Sequence, residues 1–169
     1  MPKGIAVAKA AFLAKDPGKL EDPLSYRVLL ILPALYRRWA SIRLRAMDRW
    51  VDTWAEPEMF AGIRGRGAAD GWYETGIDME EALAEGKHIV GAAADVHKCF
   101  DQIQRQIVYS MAEKAGMPMR VLRAYKSFQE LLTARNSVAG HMGHEYPKPT
   151  SIPQGDPRSM MVVVLIMKP

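Results

Sequence analysis

An uncharged apolar run that ends at an acidic residue constrains this chain more than any other feature. Residues 89–94 contain no charge and no helix-capping residue, so their length and composition predict a buried β-strand. Asp95 follows directly, where the strand gives way to a turn. From Phe100 onward apolar residues recur every three or four positions, which predicts an amphipathic helix. The sequence therefore predicts one carboxylate at the open end of a rigid core strand.

Two interpretations of Asp95 follow from its position. Catalytic and metal-binding carboxylates are commonly found at strand ends, where a rigid strand meets solvent. The same spacing also suits a helix-capping acid or an ion pair with Lys98. The residues alone leave both interpretations open.

Composition narrows the class of protein. Half of the 169 residues are hydrophobic and a quarter are charged, which is typical of a globular domain. The single cysteine, Cys99, excludes internal disulfides and a cysteine-rich zinc site, and it suits a reducing compartment. The longest uncharged apolar run, residues 160–167, is too short to span a bilayer. We therefore expect a soluble intracellular protein, with no indication of whether it is nuclear or cytoplasmic.

The positive charge is concentrated in the first part of the chain. Residues 1–66 contain twelve Lys and Arg against seven Asp and Glu, whereas residues 67–169 contain eleven against twelve. A long helix is predicted from Ala34. Its expected apolar side consists of Leu35, Trp39, Ile42, Leu44 and Met47. Its expected basic side consists of Arg37, Arg38, Arg43, Arg45 and Arg49. Such a basic side is either an ordinary solvated surface or a binding surface for a polyanion.

Other stretches predict further elements. The alanine-rich residues 5–13 predict a short helix, and residues 70–84 predict a longer one. Residues 136–150 predict two strands joined by a turn. Asp156 as cap, with Pro157 at the first helical position, predicts the start of a buried helix that continues through residues 160–167 and would leave an exposed apolar patch. Residues 61–67 form a glycine-rich loop with Arg64 and Arg66, although their spacing matches neither common phosphate-loop fingerprint.

Four stretches, in order, resemble the reverse transcriptase family of retroelement type, as found in non-LTR retrotransposons and group II introns. A-D-V-H-K-C-F-D at 94–101 is similar to the first catalytic motif, Asp-x-x-Lys-Ala-Phe-Asp, and S-I-P-Q-G-D-P-R-S at 151–159 to Gly-Ile-Pro-Gln-Gly-Asp-Pro-x-Ser-Pro. Residues 24–40 resemble the fingers segment Tyr-Arg-Pro-Ile-x-Leu with its following helix. Residues 60–70 resemble the block Gln-x-Gly-Phe-x-x-Gly-Arg-x-x-x-Asp. The resemblance covers residues 15–167.

The resemblance implies an α+β fold, a partial right-hand polymerase in which helices pack on a small antiparallel sheet that includes residues 89–94. Residues 1–87 would be a basic, fingers-like part. Residues 88–169 would be an incomplete palm that stops before the Tyr-x-Asp-Asp hairpin, with the remaining palm and the thumb missing.

The activity implied is template-directed nucleotidyl transfer, that is, RNA-directed DNA synthesis, with two Mg²⁺ or Mn²⁺ ions. The implied partners are an RNA template, a DNA primer and deoxynucleoside triphosphates, with no membrane. By resemblance, Asp95 would be the catalytic ligand of both ions, and the carbonyl of Val96 would help to hold one of them.

The resemblance also assigns binding residues. Lys15 and Arg27 would contact the triphosphate, Phe100 would lie against the sugar, and Gln154 with Gly155 would approach the base and the nucleotide. The arginines expected to bind template are Arg37, Arg38, Arg43, Arg64 and Arg66.

The family's second metal-binding motif is not found in these residues, so we expect no catalysis by this chain alone. Two alternatives remain. The chain is either a degenerate retroelement remnant that only binds nucleic acid, or an unrelated soluble α+β domain in which Asp95 caps a helix.

Overall fold

The structure is a computed structural model that describes residues 3–168. Within these residues it is an α+β fold of one four-stranded sheet and seven α-helices. The strands are β1 (Val7–Ala14), β2 (Tyr26–Ile31), β3 (Thr133–Val138) and β4 (His141–Pro147). The helices are α1 (Ala34–Arg45), α2 (Asp48–Val51), α3 (Ala68–Ala84), α4 (Cys99–Gln102), α5 (Arg105–Lys114), α6 (Met119–Leu131) and α7 (Ser159–Ile166).

The sheet is mixed, and not antiparallel as the sequence predicted. Its order is β2-β1-β3-β4, with β1 antiparallel to β2, and β3 antiparallel to β4. The central pair is parallel, with Val7 opposite Thr133. The reason is the connection: the chain leaves β2, passes through helices α1 to α6, and returns beside β1 in the same direction, as parallel pairs require. Strands from both the 1–87 and the 88–169 parts therefore share one sheet.

The prediction of a helix over residues 5–13 is wrong, because this stretch is the central strand β1. Ala8 and Ala10 are buried while Lys9 between them is exposed, which is the period-two pattern of a strand. Alanine favours helices intrinsically, but hydrogen bonding to strands on both sides overrides this preference. The small side chains also leave room for the aromatic rings of Tyr36 and Phe128, which share the same core cluster.

The predicted strand at residues 89–94 is also wrong. This stretch is irregular and exposed, and Val90 retains 95% of its accessible surface. An apolar run forms a strand only where another backbone is available to pair with it. Residues 89–94 pair with none of the strands β1 to β4. The element that the sequence placed at the centre of the palm is therefore an exposed connection between α3 and α4.

Helix α1 forms where predicted, and the predicted apolar side is only partly right: Trp39 and Leu44 pack against the core, and Met47 just after the helix is buried. Tyr36 and Ala40 are fully buried, whereas Leu35 and Ile42 are 67% and 56% exposed. The Tyr36 ring stacks on Phe128, with centroids 3.4 Å apart, and this contact decides which side faces inward. The predicted template-binding arginines of this helix are exposed: Arg37, Arg38 and Arg43.

Two other predicted helices are present. Helix α3 matches the prediction for residues 70–84 and begins slightly earlier, at Ala68. The buried C-terminal helix is confirmed as α7, but it begins at Ser159, because Asp156 bonds within the preceding turn. It buries Met161, Val162 and Leu165 in a helical core cluster shared with α5 and α6, whereas Met160 and Met167 at its two ends are exposed.

The strand-turn-strand prediction for residues 136–150 is confirmed as the hairpin β3–β4, shifted towards the N-terminus. The molecule thus has two clusters of buried side chains. One lies on the sheet against α1 and α6, and the other lies among α2, α5, α6 and α7. The segment of residues 151–158 connects the sheet to α7 between these clusters, and it forms part of the cleft described below.

Candidate functional site

One open cleft of about 740 Å³ gathers residues from three separate stretches of the sequence. The stretches are residues 15–29, residues 95–101 and residues 154–160. Seven residues singled out by sequence analysis line this cleft: Lys15, Arg27, Asp95, Val96, Phe100, Gln154 and Gly155. The structure therefore brings together all the residues predicted to bind the nucleotide.

The first wall is the open end of the β1–β2 hairpin. The amide of Lys15 donates to the carbonyl of Ser25 at 2.8 Å and closes the connection. Two tight turns lie within it, where Asp16 and Asp22 accept from backbone amides at 2.9 and 2.8 Å. Lys15 and Arg27 are exposed and, among residues 3–168, form no ion pair. Two unpaired cations thus lie on the same wall.

The second wall runs from Asp95 to Phe100 and is fixed at one end only. Asp95 is exposed, and Val96 is 49% exposed. Lys98 adopts a left-handed conformation, with φ of 48°, immediately before α4. The carbonyl of Phe100 accepts from the amide of Ile152 at 2.9 Å, and its ring packs against the helical core. Phe100 is therefore held in place, whereas Asp95 lies in the unpaired part of this segment.

The floor is the loop at Gln154 and Gly155, which docks on β2. The amide of Leu30 donates to the carbonyl of Gln154 at 2.9 Å. Gly155 has φ of +127°, and a Cβ there would lie 2.5 Å from the Leu30 carbonyl oxygen. Only glycine satisfies both constraints. The Ser159 hydroxyl donates to the carbonyl of Pro153 at 2.7 Å and closes the loop onto α7.

Beneath this loop lies a buried polar network that the sequence did not reveal. One carboxylate oxygen of Asp156 accepts from the Tyr36 hydroxyl at 2.7 Å and from Gln129 at 3.4 Å, while the other accepts from the backbone amide of Arg158 at 3.0 Å. The Arg158 side chain is 2% exposed, and it donates to the Tyr36 hydroxyl. Burial, followed by the nearby Asp156, raises the pKa of Tyr36 far above its usual value.

Aromatic rings surround the buried guanidinium of Arg158. Its central carbon lies 4.4 Å from the ring centroid of Tyr125 and 4.8 Å from that of Trp39. Such contacts partly compensate an arginine removed from water. From the sequence, Asp156 was predicted to cap a helix, and no role was predicted for Arg158. The helical spacing of Tyr36 and Ala40 is the only signal that points towards this network.

A second buried arginine, Arg105, holds the chain leading into the loop. Its guanidinium donates to the carbonyls of Ser151 at 2.8 Å, Thr150 at 3.2 Å and Gln129. Desolvation lowers the pKa of this guanidinium. No role was predicted for Arg105 from the sequence. It nevertheless falls at helical spacing with the buried residues Val108, Tyr109 and Ala112, a signal that could have revealed it.

Two of the predicted template-binding arginines have partners within the chain. Arg64 pairs with Asp48 at 2.8 Å, and Arg66 donates to the carbonyls of Glu56, Pro57 and Met59. Neither lines the cleft. Arg66 thus closes the loop of residues 56–66. The arginines of α1 are the predicted template-binding residues that project into solvent without such contacts in the part of the chain that the structure describes.

The described residues do not by themselves form a metal centre. Over residues 3–168 no group of three His, Cys, Asp or Glu side chains is arranged to hold an ion. Asp95, Asp101 and Asp156 line the cleft, but both oxygens of Asp156 are bonded within the buried network. Two-ion chemistry requires several converging oxygen ligands. The residues present therefore do not fit the predicted pair of ions.

Comparison with known proteins assigns no family. No protein-family model matches the chain, and no curated protein is significantly similar to it.

Across residues 3–168, no helix combines the length and apolar character needed to cross a membrane.

Proposed function

We propose that this chain is part of a template-directed nucleotidyl-transfer enzyme of reverse transcriptase type, and that its cleft binds a deoxynucleoside triphosphate. One observation carries the proposal: seven residues chosen from sequence motifs, as far apart as Lys15 and Gly155, line the same cleft. Motifs matched by chance would have no reason to converge in space. The convergence supports a common task for the three stretches.

The triphosphate binds the hairpin wall. Lys15 and Arg27 are exposed cations without ion-pair partners in the described chain, so their donors are available to phosphate oxygens. Arginine offers a planar fork of donors that suits two phosphate oxygens at once, whereas lysine acts as a point charge. The two side chains together provide charge compensation for a polyanion.

The sugar and base lie between Phe100 and the floor. An apolar ring fixed against the core cannot hydrogen-bond a ribose 2′-hydroxyl, and loss of that hydroxyl's hydrogen bonds costs about 1–3 kcal/mol. The cleft therefore favours deoxynucleotides. Gly155 presents backbone without a side chain, which permits close approach of the nucleotide.

Template and primer bind the exposed side of α1. This helix carries Arg37, Arg38, Arg43 and Arg45 and no acidic residue. Contacts between arginine and phosphate hold a duplex without reading its sequence, as a polymerase requires. Catalysis by Asp95 with Mg²⁺ or Mn²⁺ stays a prediction, since the described residues lack the remaining ligands.

Nucleotide binding is tested by titrating dGTP and GTP into the protein and following the heat of binding. We expect dGTP to bind more tightly, and Arg27→Ala or Lys15→Ala to weaken its binding about tenfold each, as loss of a charge-assisted hydrogen bond predicts. Phe100→Ala should make the affinity for GTP similar to the affinity for dGTP. Arg120→Ala, an exposed cation on α6, is the matched control and should change neither affinity.

Two outcomes would contradict this proposal. If neither nucleotide binds at millimolar concentration, the cleft is not a nucleotide site. If an RNA–DNA duplex still binds in that case, the nucleic-acid-binding remnant becomes the better interpretation. Equal binding of the nucleotides by wild type and the Arg27→Ala variant would remove the role assigned to the hairpin wall.

A further inference from the structure

A separate open pocket, of about 390 Å³, lies where helix α5 begins. Its lining residues come from the start of α5, the end of α6 and the segment after β4: Gln104, Arg105, Gln106, Tyr109, Glu130, Pro149 and Thr150. None of these residues lines the cleft of the candidate site, and the proposed function uses none of them.

The start of α5 offers backbone donors to this pocket. The helix has ten residues, and its first two amides, those of Arg105 and Gln106, bond to no group in the part of the chain that the structure describes. The side chain of Gln104, at the capping position, makes no capping hydrogen bond. The first amides of a helix point outward along its axis and carry partial positive charge, so they favour an anion.

A buried hydroxyl is independent evidence for a ligand at the same place. Tyr109 is only 5% exposed, and its hydroxyl has no hydrogen-bond partner among residues 3–168. Burial raises the pKa of this hydroxyl, and the nearby charges of Arg105 and Glu130 change its pKa less. Since both of these residues line the pocket, the hydroxyl lies on the pocket side of the ring. A buried donor without an acceptor is costly, and a bound acceptor would remove that cost.

The charged groups around the pocket also favour an anion. Three N–H groups of the Arg105 guanidinium bond to backbone carbonyls, which leaves two of its five donors without a partner among the described residues. The ammonium of Lys126 lies 5.3 Å from the centroid of the Tyr109 ring. Glu130 is the single acidic residue of the lining, and it is exposed to water, which screens its charge. Two cations and three neutral donors therefore outweigh one solvated carboxylate.

We propose that this pocket binds a phosphate group, held by the first amides of α5, the Arg105 guanidinium and the Tyr109 hydroxyl. Phosphate oxygens accept several hydrogen bonds at once, so one group satisfies donors from all three sources. A free phosphate ion and a phosphate of a nucleic-acid strand present the same oxygens to these donors. The inference is independent of the proposed function, because it uses no residue of the cleft.

Calorimetric titration with inorganic phosphate at constant ionic strength tests the site. The Lys15→Ala/Arg27→Ala double variant is titrated beside wild type, so that phosphate bound in the cleft is distinguished. We expect one site to remain in the double variant, and Tyr109→Phe to weaken it about tenfold through loss of a charge-assisted hydrogen bond. The fold should tolerate Tyr109→Phe, because the hydroxyl has no partner among residues 3–168. Tyr73→Phe, at an exposed position on α3, is the matched control and should leave the affinity unchanged.

Two charge variants should change the affinity in opposite directions. Glu130→Gln removes the carboxylate from the lining and should strengthen phosphate binding by roughly twofold to fivefold. Gln106→Glu places a carboxylate at the start of α5 and should weaken phosphate binding, although the same charge stabilises the helix through its dipole. Weaker binding by that variant is therefore not a sign of unfolding. Glu113→Gln, at an exposed position on α5 outside the pocket, changes the net charge equally and should leave the affinity unchanged.

A short oligothymidylate distinguishes the two sources of phosphate. If it binds the double variant more tightly than inorganic phosphate does, and loses affinity on Tyr109→Phe, the pocket holds a phosphate of a strand. If only inorganic phosphate depends on Tyr109, the pocket holds the free ion. Absence of binding by both ligands, equal affinities of the double variant with and without Tyr109→Phe, or weaker phosphate binding by Glu130→Gln would overturn the proposal.

Discussion

The hydroxyl of Tyr36 donates a 2.7 Å hydrogen bond to the carboxylate of Asp156, across 120 residues of sequence. It joins the first helix to the loop that forms the floor of the cleft. Both side chains are buried, and Arg158 donates to the same hydroxyl. The position of Gln154 and Gly155 therefore depends on a contact made behind them.

Tyr36→Phe should destabilise the protein by about 1–3 kcal/mol, because it leaves a buried carboxylate oxygen with only a long bond from Gln129. The free energy of unfolding in urea measures the loss. Tyr26→Phe is the matched control. Its hydroxyl bonds the Leu20 carbonyl at an exposed site, so we expect a change below about 0.5 kcal/mol. Equal losses of stability in the two variants would show that the buried network stabilises the protein no more than an exposed hydrogen bond does.

Gly155→Ala should cost about 2 kcal/mol or more, because the new Cβ meets the Leu30 carbonyl and the backbone has positive φ. Thermal and urea unfolding both report this loss. For Gly76→Ala we expect the opposite effect, an increase in stability. Gly76 lies within helix α3 with no heavy atom within 4 Å of a built Cβ, so alanine should stabilise by about 0.5–1 kcal/mol.

Arg105→Met should destabilise by about 2–4 kcal/mol. The substitution keeps the apolar volume of the stem but leaves the carbonyls of Ser151, Thr150 and Gln129 without their donors. Urea unfolding measures the change, and Arg123→Met on the exposed side of α6 is the control. If the two variants have similar stability, the buried arginine does not hold the loop.

Stability should fall at high pH. Burial raises the pKa of the Tyr109 hydroxyl to about 12, above the value of about 10 for an unfolded tyrosine. The folded state thus keeps a proton that the unfolded state loses. This contribution is complete below pH 10 and is lost as pH rises through about 12. Urea unfolding between pH 9 and 12 should show the decline.

Tyr109→Phe should reduce the slope of that decline by up to one proton. At neutral pH the same variant should be at least as stable as wild type, because the Tyr109 hydroxyl has no hydrogen-bond partner among residues 3–168. Burial also raises the pKa values of Tyr36 and Tyr125, so part of the decline should persist. An unchanged slope would contradict the assignment to Tyr109.

Arg38→Glu should weaken binding of an RNA–DNA duplex and lower the dependence of log affinity on log salt by roughly one. Arg38 is exposed on α1, so the fold should be unaffected. Fluorescence anisotropy across a salt series measures both quantities. Arg64→Glu, which breaks a pair with Asp48, should leave the salt dependence unchanged if the duplex lies on α1.

Sequence reasoning succeeded where a local pattern is enough. The residues of 70–84 predicted α3, the pair Asp156–Pro157 followed by an apolar run predicted α7, and turn residues predicted the β3–β4 hairpin. Prediction from the sequence failed where pairing with residues distant in the sequence determines the local structure. Residues 5–13 became a strand because β2 and β3 pair with them, and residues 89–94 remained irregular because no described strand does.

The candidate site shows the same division. Motif resemblance found the residues that line the cleft, but periodicity alone would not have joined Lys15 to Gly155. Arg105 and Arg158 were missed because a single sequence treats arginine as a surface residue. Their burial depends on carbonyls and aromatic rings supplied by other elements, which only the three-dimensional structure reveals.

The one-sided anchoring of the cleft has a consequence for its motion. The floor is fastened to β2, α1 and α6, so it has no hinge on which to close. The opposite wall is fastened at Phe100 and unbonded through residues 88–96. A ligand that bonds this backbone would satisfy polar groups that have no partner among residues 3–168, whereas a ligand on the floor would meet backbone groups that are already bonded.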